Sequence, residues 1–198
     1  MSGADTKLPH SLPLERLPRG TAFYRIHHSK NRALWFGPAR GTPPTNRFDD
    51  PLGKYRVCYV GCSPEAAFAE KLLRAPPVRL VSRTALSALK LTTTVAAREI
   101  RVVSLRGAGL ARLGITAAVA MGHSYSDSQA LGRRIHDHDD RPDGILYRCR
   151  HDDDAFAVAL FDRARQAVRV RSGSSVRLGE DLARLASMAA RYGFGFTV

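Results

Sequence analysis

Residues 47–73, RFDDPLGKYRVCYVGCSPEAAFAEKLL, decide how this chain is read. Arg47 leads a turn-rich loop, and RVCYVG (56–61) is a short β-rich run ending beside Tyr59. Ser63 followed by Pro64 is a strong helix start, because the serine hydroxyl caps an orphan amide and proline needs none. The helix is expected to run to about Arg74, where APP stops it. Its one inward-lying carboxylate is Glu70, set among Ala66, Ala67, Phe68, Ala69, Leu72 and Leu73. A charge placed there needs a partner or a ligand.

Working outward, TAFYRIH (21–27) reads as a core strand, and it carries Tyr24 and Arg25 in an apolar context. The Gly-, Pro-, Asn- and Asp-rich stretch 33–55 is a long loop of the kind that more often binds than merely connects. VRLVSRTALSALKLTTT (78–94) is ambiguous between strand and helix, whereas REIRVVSL (98–105) reads as a strand. SDSQALGRRIHDH (126–138) predicts a helix capped at or near Ser126. DGILYRC (143–149), AFAVALF (155–161) and AVRVR (167–171) predict three strands, with Asp152–Asp154 in a solvated turn. A last helix is expected from Ser175, placing Leu178, Leu182, Leu185, Met188, Ala189 and Tyr192 on one face. Strands and helices without regular βαβ alternation argue for an α+β fold. Residues 1–19, with three prolines and no periodicity, read as an extended or disordered lead-in to a single domain at 20–198.

The 198 residues are 44% hydrophobic and 25% charged, ordinary for a globular domain, but the net charge of +13 is not. Lysine occurs only at positions 7, 30, 54, 71 and 90, so arginine supplies most of it. Arginine forks match phosphates and carboxylates, which points to a nucleotide, a nucleic acid or an acidic partner. An arginine-rich solvated surface is the bland alternative. Cys58, Cys62 and Cys149 leave an odd count and no zinc-ribbon spacing, so a reducing, cytoplasmic setting is expected. No apolar run has the length of a membrane span. The HDHDD cluster (136–140) holds histidines two apart, which a helix points to different faces, so no metal is expected. HSYS (123–126) is a weak candidate for a Ser–His pair.

The distributed set Tyr24, Arg25, Arg47, Tyr59 and Glu70 carries more weight. A buried Arg25–Glu70 ion pair is the competing structural reading. In chain order, FYRI, NRFDDP, VCYVGCSPEAAFAE, YSDSQALG and DGILYRCRHDDDAFAVALFDR resemble the RES domain, the toxin family of RES–Xre toxin–antitoxin pairs. The resemblance runs from about Thr21 to Val170.

The resemblance implies a split, mixed β-sheet flanked by helices, like that of ADP-ribosyltransferase toxins. It implies NAD+ as substrate, cleaved at the nicotinamide–ribose bond by hydrolysis or phosphorolysis, or used to ADP-ribosylate a protein. Carried over by position, Glu70 matches the catalytic acid, Arg25 and Arg47 the arginines holding the phosphates, and Tyr24 and Tyr59 the aromatics of the cleft. Ser126 matches the serine opening an S-x-x-Q helix. Cys149 stands where many relatives carry serine, so which residue completes the site stays open. The implied partner is an Xre-type antitoxin covering the active site in a hetero-oligomer, with nucleic acid met only through that antitoxin. A basic nucleic-acid-binding module is the rival reading, and no basic helix, helix-turn-helix or stacked-aromatic motif supports it.

Overall fold

Gly61 sits where the sheet divides. A Cβ there would lie 2.5 Å from the Ala67 nitrogen and 2.8 Å from the Ser63 oxygen, so only glycine lets the chain turn from strand into helix this tightly. The computed structural model describes residues 7–37, 42–43, 45–73, 80–122 and 125–197. The elements are β1 (Leu14–Leu17), β2 (Ala22–His28), β3 (Val57–Gly61), α1 (Pro64–Leu72), β4 (Leu80–Ser82), α2 (Arg83–Ser87), β5 (Leu89–Ala96), β6 (Ile100–Leu105) and α3 (Ala108–Arg112). They continue with α4 (Ala117–Met121), α5 (Ser126–His136), β7 (Gly144–Cys149), β8 (Asp152–Phe161), β9 (Val168–Arg177), α6 (Leu182–Tyr192) and β10 (Gly195–Thr197).

Among the described residues, eight strands form one sheet in the order β1-β6-β7-β8-β3-β2-β5-β9. β6 and β7 are parallel and the other neighbours antiparallel, so the sheet is mixed and the fold α+β. β2 pairs with β5 along its whole length, from Ala22↔Val95 to His28↔Leu89. β3 pairs with β8 just as fully. Between themselves, however, β2 and β3 share only Tyr24↔Gly61. Past that bridge they part, and the sheet splits into two halves with a fork between them.

Three apolar clusters hold the halves. Phe48, Ile135, Ile145 and Phe161 are among the fully buried large side chains of one, beneath α5. Phe23, Cys58, Ile100 and Val158 belong to a second, on the other face of the sheet. Ile26, Phe68, Leu86 and Leu178 centre a third, where α1 packs against β2. Burying a Phe or Ile side chain contributes about 1.5–3 kcal/mol, so these clusters fix α1, and with it Glu70, against the fork.

Ser63 caps α1 as the sequence predicts, its hydroxyl accepting from the Ala66 amide with Pro64 in the first turn. The helix ends at Leu72, and the stop expected at Arg74 lies outside the described residues. The ambiguous stretch 78–94 resolves into β4, α2 and β5. The lead-in contributes an edge strand, with Leu14–Leu17 paired to Ile100–Val103, and it buries Leu12.

Two expectations need correcting. No helix starts at Ser175, because β9 continues to Arg177 and α6 begins at Leu182. β9 passes an irregularity opposite Thr93, where the Ser174 hydroxyl donates to the Thr93 carbonyl, and then resumes pairing at Thr92↔Ser175. Asp181 supplies the cap by accepting from the Arg184 amide, which leaves Leu182 exposed rather than on the core face. Asp152 is likewise no solvated turn residue. Its side chain is 7% exposed and accepts from the Tyr192 hydroxyl at 2.6 Å and from Arg191 at 3.0 Å, tying β8 to α6.

Candidate active site

The fork opens into a cavity of about 230 Å³ whose lining includes Tyr24, Arg25, Trp35, Asn46, Tyr59 and Glu70. A smaller cavity of about 50 Å³ lies beside it, lined by Arg47, Tyr125, Tyr147, Arg150 and His151 among others. Asn46, Tyr59 and Glu70 line both. Glu70 therefore stands at the junction, half-buried, with Arg25 on one side and Arg47 on the other.

Glu70 is held by Tyr147 of β7, whose hydroxyl donates to Oε2 at 3.2 Å. Tyr147 is 2% exposed. Its pKa is raised well above the usual tyrosine value by burial and then by the Glu70 charge, so the phenol keeps its proton and remains a donor. The Cys149 thiol is buried below the helix, 4.0 Å from the Ala66 carbonyl. Burial and then Glu70 push it up too, so it stays a neutral thiol and no nucleophile.

Arg25 does not pair with Glu70. Its Nη1 donates to the carbonyls of Ala33 at 2.6 Å and Trp35 at 3.3 Å and approaches Cys58 Sγ at 3.5 Å. The residue thus fastens the segment after β2 across the fork's mouth, and among the described residues its Nη2 and Nε carry no hydrogen bond. Arg47 is 8% exposed, donates through Nη1 to the Gly122 carbonyl at 3.0 Å, and lies 4.8 Å above the Tyr125 ring. Burial lowers its pKa, yet a guanidinium remains charged at neutral pH.

Two aspartates order the loop that presents Arg47. Asp49 accepts from the amides of Thr45 and Asn46, and Asp50 from those of Leu52 and Lys54. Tyr59 braces the same loop, its hydroxyl accepting from the Phe48 amide and donating to Asp49 Oδ1, each at 2.9 Å. Its ring lines the cleft while its polar end is spent on the loop. Tyr24 lines the larger cavity alone.

Ser126, the first residue of α5, is exposed and lines neither cavity. From the same helix Gln129 reaches the site instead, donating to the Asn46 carbonyl at 3.0 Å. His123 and Ser124 lie outside the described residues. His136 stacks on Tyr55 with centroids 4.1 Å apart, and His138 bonds to the Pro9 carbonyl, so the HDHDD cluster is structural. Among the described residues no three His, Cys, Asp or Glu side chains gather to hold a metal, and no helix is long and apolar enough to cross a membrane.

Tyr147, Tyr125, Trp35, Arg150 and His151 were missed by sequence reasoning. Tyr147 alone had a signal, as the aromatic in LYRC two residues before Cys149.

A split sheet with an acid at the fork and arginines on both flanks defines a class of cleft. The RES domain matches residues 22–181, most of the chain, and the protein belongs to that family. In solved structures the fold resembles a chain of the Mycobacterium tuberculosis MbcT–MbcA toxin–antitoxin complex, with a TM-score of 0.65 and 18% identity. The likeness covers 86% of this chain and 90% of the other. No curated protein sequence matches the chain.

Proposed function

We propose that this protein is the toxin of a toxin–antitoxin pair and that it consumes NAD+ by breaking the nicotinamide–ribose bond. One observation carries the chemistry: the Glu70 carboxylate lies at the meeting point of two cavities, each bearing a buried or half-buried arginine. RES membership and the fold likeness to a toxin–antitoxin chain support the biological role.

When the glycosidic bond breaks, its electron pair leaves with nicotinamide as a neutral ring, and positive charge grows on the ribose. An adjacent carboxylate stabilises that charge. No strong general acid is needed to release the leaving group, so one carboxylate suffices where glycosidases use two. Water or phosphate then adds to the anomeric carbon and its proton passes to solvent. Tyr147 keeps one Glu70 oxygen occupied and so fixes the direction of the other. Arg25 and Arg47 each have donors left for phosphate oxygens, and Tyr24 and Tyr59 offer ring faces to a base. An Xre-type antitoxin, acidic enough to match the +13 charge, would cover the cleft.

Mass-spectrometric analysis of NAD+ incubated with the protein, with and without phosphate, tests the reading. Free nicotinamide with ADP-ribose means hydrolysis, and a phosphorylated ADP-ribose means phosphorolysis. ADP-ribose attached to a polypeptide means transfer to a protein acceptor. NAD+ left intact by the wild type, or cleaved equally by a folded Glu70→Gln variant, overturns the mechanism.

A further inference from the structure

Beyond Trp35 the larger cavity continues into an open groove of about 680 Å³ on the face of β2, β5 and β9. Arg32, Arg56, Lys90 and Arg165 line it, and no aspartate or glutamate does among the described residues. None of the four forms an ion pair with a described residue, and the Arg56 Nε is buried without a hydrogen-bond partner. Some arginines elsewhere are matched, as in Arg98–Asp143, Arg106–Glu15 and Arg191–Asp152, so what sets the groove apart is four unmatched cations gathered along one concave surface. Trp35, the chain's single tryptophan, is 46% exposed at the join between groove and cavity.

We infer that this groove binds single-stranded nucleic acid, its phosphates on the four cations and a base stacked on Trp35. Unmatched cations along a groove with an exposed ring are the two elements of strand binding without sequence preference. An acidic polypeptide would answer the charge as well, but it brings no base to stack on the exposed Trp35, and the route of adding a strand to a free sheet edge is hampered. Here the free edge is β9, and it is interrupted: Ser174 bonds back to the Arg171 and Thr93 carbonyls, and Gly173 has φ +67°. A nucleic-acid strand needs no such edge. The cations come from positions 32, 56, 90 and 165, which explains why no basic run betrays the groove in the sequence.

The inference does not rest on NAD+ cleavage, and a Glu70→Gln variant should bind the strand as the wild type does. The test is fluorescence anisotropy of a labelled single-stranded 12-mer, DNA and RNA, with the full chain, read beside the emission of Trp35. Binding should quench that emission and weaken with salt. In a Lys90→Glu/Arg165→Glu variant the affinity should fall at least tenfold, and the slope of log K against log salt should shrink by roughly 1.4, at about 0.7 per lost phosphate contact. A control of equal net charge, Arg19→Glu/Arg112→Glu, alters exposed residues outside the groove and should bind nearly as the wild type does. Circular dichroism establishes that both variants fold. Equal losses in the two variants, an unquenched Trp35, or equal displacement by polyglutamate would overturn the proposal, the last in favour of an acidic polypeptide.

Discussion

The Tyr147 hydroxyl donates to Glu70 Oε2 at 3.2 Å, linking strand β7 to helix α1. This contact joins the candidate acid to the core, because the Tyr147 ring packs edge-on against Phe48 with centroids 5.0 Å apart. Tyr147 is a positioning residue, acting through Glu70 rather than on the substrate.

Tyr147→Phe should keep the fold and the ring packing while removing one hydrogen bond that orients the carboxylate. A hydrogen bond to a charged group contributes about 1.5–3 kcal/mol. Part of that is recovered by water at the half-buried Glu70, so kcat for NAD+ cleavage should fall about tenfold, equivalent to about 1.4 kcal/mol. KM should hardly move. Steady-state kinetics separates the two parameters, and a raised KM with unchanged kcat would assign Tyr147 to substrate binding.

Arg47→Lys tests whether the planar fork matters. Lysine could keep the charge, but it cannot donate to Gly122 and lie flat over Tyr125 while still facing the cavity. The expected result is a rise in KM of about tenfold, from the loss of one charge-assisted bond of about 1.5 kcal/mol, with kcat less affected. Arg25→Lys should instead destabilise the fold, because the Ala33 and Trp35 carbonyls lose their shared donor. Kinetics and thermal melts on both variants distinguish binding from bracing.

The strands and α1 were legible because their signals are local. Ser63-Pro64 declares a helix start, and RVCYVG is a short β-rich run closed by a glycine. What stayed hidden depends on pairing between distant segments. No local pattern says that β2 and β3 share a single bridge, yet that produces the fork. Nor could residue types reveal that Asp152 would be buried against Tyr192, forty positions on, or that β9 would resume after its irregularity. Glu70, Arg25 and Arg47 were singled out by residue type, spacing and resemblance together. Tyr147 was not, since a tyrosine inside an apolar strand reads as core until its hydroxyl finds a carboxylate.

Gly61→Ala probes the fork itself. The added methyl would meet backbone atoms at 2.5–3.0 Å, none of which belongs to a flexible side chain that could swing away. Overpacking of this kind costs about 1–3 kcal/mol, and α1 must shift to relieve it. Activity should then fall further than stability, because Glu70 moves with the helix. Denaturant midpoints beside kcat/KM report the two effects, and a variant with native activity would show that the helix position is not critical.

Stability should decline as the pH falls below neutrality. Burial lowers the pKa of His27, His136 and His151 from the usual 6.5. The unfolded chain therefore takes up protons below about pH 6.5 that the folded chain still refuses, so stability is full above that value and drops toward the lowered folded values. His27 shows why. Its Nδ1–H donates to the His28 carbonyl, while Nε2 accepts from the Thr92 hydroxyl, which is in turn 2.8 Å from Ser175. A second proton on the ring would force the Thr92 hydroxyl to turn from donor to acceptor and set a charge beside Arg25 and Lys90. A separate loss follows below about pH 3.8, where the unfolded chain's aspartates take up protons that Asp143 and Asp152, held low by their arginine and tyrosine partners, still refuse. Guanidinium midpoints at pH 7.5, 6.0 and 5.0 should fall in that order. His27→Gln, which can keep a donor and an acceptor without titrating, should flatten the trend, and an unchanged slope would place the proton uptake on the other two histidines.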